Sequence, residues 1–397
     1  MAEKYLFDLT GEINKFLRGL KDPLSSWIIT AKTCDGIFKL IEKGKKYDVF
    51  SNEADFNRYG VKVLDALKKA GAEYSVTLLG DGASGKFAAA ARFLTGDVIA
   101  LGDKKFISAT VDYAKSAKKT CYAVLTDIDF DGLFSKSGEA NSPLKAVIID
   151  PEILVKGSLD RYPAAYAFAA VKSLDLIDYK LSVILKEKPF DEFYFLKARF
   201  LSAMLKNAFR FSNYHDVILY VALLGGVISA LSCVYDGGGE RLKKAFTAEY
   251  LAVKESDCAL YALIVGANAY HFTFANDLRL GVLPENYNAD ISSAATLFGV
   301  DEGEIRNNLK IPSSSSLAAK FRAVNAARGK LLSDSGEILT SLKTYVSGYE
   351  ILTGEKFDAS PFSYEKTKRA VIASAYLGFG VTAPALLIEA GVFAATE

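Results

Sequence analysis

Residues 98–115 read VIALGDKKFISATVDYAK, residues 121–138 read CYAVLTDIDFDGLFSKSG, and residues 146–154 read AVIIDPEIL. Each opens on a short apolar run that stops at a glycine or a polar residue: Gly102, Thr126 and Asp150. The first run leads straight into a segment of helical period. A strand, a helix and a second strand of the same apolar kind require a crossover connection, so the sheet is expected to be mainly parallel and covered on both faces. Working outward from this block, SWIIT (26–30), YDVFS (47–51), YSVTLL (74–79), DVIAL (97–101), CYAVLT (121–126) and KAVIID (145–150) are candidate strands. FNRYGVKVLDALKKAG (56–71) is a helix between two of them, with Val63, Leu64 and Leu67 on its apolar face and Gly71 as its stop.

This is a Rossmann-like, dinucleotide-domain architecture, expected over residues 1–156. After Gly157 the strand-like runs give way to long helical patterns: Tyr162 to Lys186, Phe190 to Phe211, Tyr214 to Tyr235 and Lys254 to Phe272. Residues 157–397 are therefore expected to form an all-helical domain, and a chain of 397 residues is long enough for two cores. NLKIPSSSSL (308–317) and GEKFDASPFSYEKTKR (354–369) read as loops.

Charge names no partner. Forty-eight Lys plus Arg balance 47 Asp plus Glu, which gives no net field for nucleic acid or an anionic membrane. Val217 to Tyr235 runs without a charge for the length of a membrane span, yet its glycines, serines and lack of basic flanks fit a helix buried within a protein. Cys34, Cys121, Cys233 and Cys258 form no CxxC pair, and reduced thiols in a cytoplasmic protein are expected. GDGASGKF (80–87) satisfies GxxxxGK, but Phe87 stands where a magnesium-dependent hydrolase needs a hydroxyl. It reads as a glycine turn feeding a helix N-terminus.

The opening block resembles the iron-containing alcohol dehydrogenase and dehydroquinate synthase superfamily, above all its sn-glycerol-1-phosphate dehydrogenase branch. In that family a strand ends in a GGGxxxD-like turn, and the next strand ends in a threonine followed by Ser-x-Asp-Gly and a further serine. Gly102 matches the first glycine, and Thr126, Asp131, Gly132 and Ser135 match the later segment. RYPAAYAFAAVKSLDLIDYKLS (161–182) is similar to the family's helix with a metal-binding Asp, and Lys172 and Asp178 match while Phe168 takes the place of that Asp. YDGGGERLKKAF (235–246) is similar to Gly-x-Glu-His-x-x-x-His, with Gly238 and Glu240 kept and Arg241 and Ala245 where histidines belong. The last ligand motif falls near ESDCALYALIVGANAY (255–270), leaving Ser256 or Asp257.

The resemblance implies a dehydroquinate synthase-like fold and, by descent, NAD- or NADP-dependent oxidation of a polyol or polyol phosphate, in a protein that can form a homo-oligomer. In such enzymes a zinc or iron ion polarises the alcohol oxygen. An aromatic ring and a guanidinium cannot replace carboxylate and imidazole ligands, so metal binding is not expected. The cofactor turn is also altered, since Asp103 and Lys104 replace glycines and Asp103 sets a negative charge beside a pyrophosphate. Lys104 and Lys105 offset that charge, and with Gly102, Thr126, Asp131 and Ser135 they make up the expected NAD(P) contacts. Lys172 and Arg241, with Lys243 and Lys244 beside them, are expected to face an anionic small ligand in an interdomain cleft. The readings left open are a dehydrogenase by descent, a catalytically silent ligand-binding or regulatory protein, and a structural partner.

Overall fold

In the computed structural model, residues 28–29, 33–79, 95–128, 143–154, 156, 161–187, 205, 237–276, 278, 287–298, 301–303, 314–376 and 382–389 are described. They fall into two compact units, one of residues up to Tyr162 and one of residues from Pro163 onward. The GxxxxGK turn, Asp131, Ser135 and the charge-free stretch from Val217 lie outside the described residues.

In the first unit, strands β1 (Ile28–Ile29), β2 (Lys46–Ser51), β3 (Glu73–Leu78), β4 (Asp97–Gly102), β5 (Cys121–Leu125) and β6 (Leu144–Ile149) form one sheet in the order β1-β6-β5-β4-β2-β3. Every described pairing is parallel. Helices α1 (Thr33–Leu40), α2 (Val61–Ala70) and α3 (Lys104–Ser116) supply crossovers, and the short α4 (Pro151–Leu154) follows the last strand. Continuous apolar runs become strands because both faces of such a sheet are covered. Val49, Ile99, Leu101, Val124 and Ile148 are buried in one core with Val63 and Leu67 of α2. Gly71 ends α2 in the left-handed region at φ 66°, a conformation that favours glycine.

Register then determines what shares an edge. Ser51 pairs with Leu101, Leu101 with Val124, and Val124 with Ile148. The carboxyl ends of β2, β4, β5 and β6 therefore lie along one side of the sheet, and Asn52, Asp103, Thr126 and Asp150 follow there.

The described part of the second unit is helical: α5 (Tyr162–Val171), α6 (Ser173–Ile184), α7 (Gly238–Glu249), α8 (Glu255–Ala275), α9 (Tyr287–Phe298), α10 (Ser314–Thr353), α11 (Tyr364–Ala375) and α12 (Ala383–Glu389). The single helix expected from Tyr162 to Lys186 is broken at Lys172. Ser314 to Leu317 of NLKIPSSSSL open α10 rather than lying in a loop, residues 308–313 lie outside the described residues, and YEKTKR of the second expected loop begins α11. Serine suits a helix start as well as a turn, so composition alone did not separate the two. Within the 40-residue α10, buried Leu317, Phe321, Val324, Leu331, Ile338, Tyr345, Tyr349 and Leu352 recur at spacings of three, four and seven, which makes one stripe of a long amphipathic rod. Among the described residues, α8 is the one helix long and apolar enough to cross a membrane. Leu260, Leu263, Ala267, Tyr270 and Phe274 of α8 are buried in the second unit, which is how an all-round apolar helix serves a helical core.

Candidate functional sites

The first candidate site is the carboxyl edge of the sheet. Thr126 N–H donates to Gly102 C=O at 3.0 Å, bringing together one residue from each of the two expected cofactor turns. Lys104 and Lys105 form the first turn of α3, where Asp103 is the N-cap and accepts from Phe106 N–H at 2.8 Å. Its carboxylate thus occupies the helix end that would otherwise present free amides to a phosphate. Gly102 is tightly enclosed by Phe106, whose ring atoms would lie 2.9 Å from an added Cβ.

Two further residues complete this edge, and the motif comparison missed both. Asn52 Oδ1 accepts from Asp55 N–H at 2.8 Å and its amide donates to Asp55 Oδ2 at 2.7 Å. Burial raises the Asp55 carboxyl, against hydrogen bonds from Asn52 and Thr126 and with Asp103 adding repulsion. Asp55 and Asp103 make this edge more acidic than the glycine-rich turn of the resemblance would be. The detectable signal was Asn-x-x-Asp directly after the strand YDVFS, a helix-capping pattern that places a carboxylate at the strand exit.

The second candidate site is a buried charge cluster in the helical unit. The pair Asp175 and Asp178 lies one turn apart on α6 and faces the N-terminus of α7. Asp178 Oδ2 accepts from Gly238 N–H at 2.7 Å and from the Tyr270 hydroxyl of α8, while Oδ1 accepts from Ala383 N–H of α12 at 3.2 Å. Asp175 Oδ1 accepts from Gly239 N–H at 2.7 Å. Burial pushes Asp178 up to about 7 despite these donors and Arg241, and it holds Asp175 well above the carboxylate range. The amides of α7 that a ligand anion would seek are already bonded to protein carboxylates.

Cations surround the same helix end. Arg241 is 1% exposed, Lys172 4% and Lys243 5%. Glu240 receives Lys172 Nζ on Oε2 at 3.3 Å, with Lys243 and Lys244 on Oε1 at 3.1 and 3.8 Å. Lys243 Nζ also lies 4.3 Å from the centroid of the Phe168 ring, a cation–π geometry. Three glycines let α6 and α7 approach this closely. A Cβ on Gly239 would collide with the Val171 carbonyl oxygen and lie 2.8 Å from Asp175 Oδ1. Gly239→Ala is accordingly expected to cost about 1–3 kcal/mol in a urea unfolding titration.

At the positions that the resemblance assigns to metal ligands, the side chains present do not suit a divalent ion. Phe168 offers a ring already covered by an ammonium, Arg241 is a cation, and Ala245 has no donor atom. Ser256 and Asp257 share the Tyr349 hydroxyl, at 2.7 and 2.6 Å. Among the described residues no group of three or more His, Cys, Asp or Glu could hold a metal. His271 instead lies 3.5 Å from Ser335 Oγ.

Comparison with known proteins bears on the fold. No family model and no curated protein matches the chain. Among solved structures, the iron-containing alcohol dehydrogenase of Thermococcus thioreducens superposes with a TM-score of 0.50 over 93% of this chain and 97% of that one, at 12% identity. The glycerol dehydrogenase of Schizosaccharomyces pombe gives 0.44 over 85% and 94%, at 14% identity. The aldehyde reductase of E. coli gives 0.46 over 90% and 99%, at 12% identity. The chain has the fold of the iron-containing alcohol dehydrogenase and dehydroquinate synthase class, an N-terminal parallel α/β part followed by a helical part.

Proposed function

We propose that the chain is a divergent glycerol-1-phosphate dehydrogenase-like protein, descended from NAD(P)-dependent oxidoreductases of polyols or polyol phosphates, in which metal-dependent hydride transfer is lost. One observation carries this reading: the Lys243 ammonium covers Phe168, the residue that replaces the metal-binding Asp, while Arg241 replaces a ligand histidine in a buried position. Both substitutions put positive charge where the ancestral chemistry needs donors to a dication.

A binding or regulatory role for a small phosphorylated or polyol ligand is the second reading. The gathering of Lys172, Lys243 and Lys244 on Glu240 at one helix end is the observation that favours it. Lys172 and Arg241 are its proposed anion contacts. At the strand edge, Gly102, Lys104, Lys105 and Thr126 are the proposed dinucleotide contacts, weakened by the Asp103 cap. A cytoplasmic setting is the reading that we attach to the free, buried thiols Cys121 and Cys258.

Elemental analysis of the freshly purified protein, paired with an NADH fluorescence titration and a thermal-shift series in sn-glycerol-1-phosphate, tests these readings. The expected result is no stoichiometric zinc or iron, weak NADH binding and no polyol oxidation. A rise in Tm with the phosphorylated polyol but not with glycerol would support the binding role, because a ligand preferring the folded state stabilises it. Stoichiometric zinc or iron together with turnover would refute the loss of metal chemistry.

A further inference from the structure

The cluster in the helical unit raises a question that the loss of the ion does not answer: what now balances its acidic groups. Glu240 is mostly enclosed, with its side chain 14% exposed, and Asp178 and Glu240 lie close enough to Asp175 to repel its charge. Three carboxyl groups gathered out of water need cationic compensation or protonation. A bound dication would serve that purpose, but its ligands are gone. The cation closest to the altered position belongs to the chain itself.

We infer that the Lys243 ammonium is a tethered replacement for the missing metal ion, retained to neutralise Glu240 and held in place by the Phe168 ring. This rests on the reading that the ion is lost. Three observations converge on it. Lys243 Nζ is 3.1 Å from Glu240 Oε1 and 4.3 Å from the Phe168 centroid, so the aromatic residue that removed a ligand also provides the face that seats a cation. Lys243 and Phe168 are buried, whereas the side chain of neighbouring Lys244 is 56% exposed against 6% for that of Lys243, and lies 3.8 Å from the same oxygen. Lys172 approaches the other oxygen of Glu240, which leaves Oε1 to Lys243 and the distant Lys244. An ammonium has no open coordination position and cannot act as a Lewis acid, so the exchange keeps the electrostatic service of an ion and discards its chemistry.

The test is a double-mutant cycle read by urea unfolding of the full chain at pH 7. Lys243→Met, which keeps the length of the stem and removes the charge, is expected to raise the unfolding equilibrium constant roughly tenfold or more by stranding part of the Glu240 charge. Adding Glu240→Gln should recover most of that loss, while Lys244→Met has little effect. In Lys243→Ala, ethylammonium chloride should raise Tm saturably where sodium chloride at equal ionic strength does not. Should Lys243→Met fail to fold, the cycle is read as soluble yield, and the double variant must recover what the single one loses. Additive effects, a double variant that fails as the single one does, or no difference between ethylammonium and sodium would overturn the inference. Those outcomes leave the absence of zinc and iron standing, and metal found in the wild-type protein would instead strike the underlying reading.

Discussion

Arg241→Ala is expected to lower the unfolding free energy by about 3–5 kcal/mol at pH 8, the cost of leaving a buried carboxylate without its compensating charge. The guanidinium is 1% exposed, and its charge acts on Asp178, which is wholly buried. Asp178 joins α6 to the amide ends of α7 and α12 and to the Tyr270 hydroxyl of α8, so the loss would spread through much of the helical unit. Guanidinium titrations of the wild type, Arg241→Ala and Arg241→Ala/Asp178→Asn decide the matter. The double variant should be more stable than Arg241→Ala alone. A single variant within about 1 kcal/mol of wild type would show that the buried charge is compensated elsewhere.

The second large effect is a dependence on pH. The Asp178 carboxyl is raised from 3.8 to about 7 in the folded protein, chiefly by burial, and Asp175 is raised in the same direction. Between these values the folded chain holds a proton that the unfolded chain has released. Stability therefore falls as pH rises, with the decline beginning near the unfolded value and ending above the folded one. Facing Asp178 are Arg241 and the Gly238 amide from α7, Tyr270 from α8 and the Ala383 amide from α12. Between pH 4 and pH 8 the wild type should lose on the order of 4 kcal/mol relative to Asp178→Asn. Parallel stability curves for the two proteins over that range would contradict the assignment.

The sheet was the most legible part of the chain. YDVFS, DVIAL, CYAVLT and KAVIID are continuous apolar runs because parallel strands are covered on both faces, and each became a central strand. The helical half was legible in class but not in its joints. Apolar residues occupy nearly every face around Lys172, so periodicity could not show that the helix breaks there. α10 was hidden by its small and polar residues, which dilute a stripe that only three-dimensional packing reveals.

The candidate sites show the same division. What stands at positions 168 and 241 could be set against the resemblance from the sequence alone, because that reading depends on one residue at one position. Asp55 and Asp175 could not, since their significance comes from partners on other elements: Thr126 on β5's exit, and Gly239 on α7. Lys243 was visible only as one of two adjacent lysines. Its depth and its place over an aromatic ring separate it from exposed Lys244.

The stacking of Lys243 on Phe168 also constrains any attempt to build a metal site here. An aspartate introduced at position 168 would meet a resident ammonium and form a salt bridge before it could meet zinc. A histidine introduced at position 241 would remove the guanidinium that acts on Asp178 without creating a complete donor set. Each new ligand would thus be harmful or useless until the others are present, an epistatic barrier to installing metal chemistry on this scaffold one residue at a time.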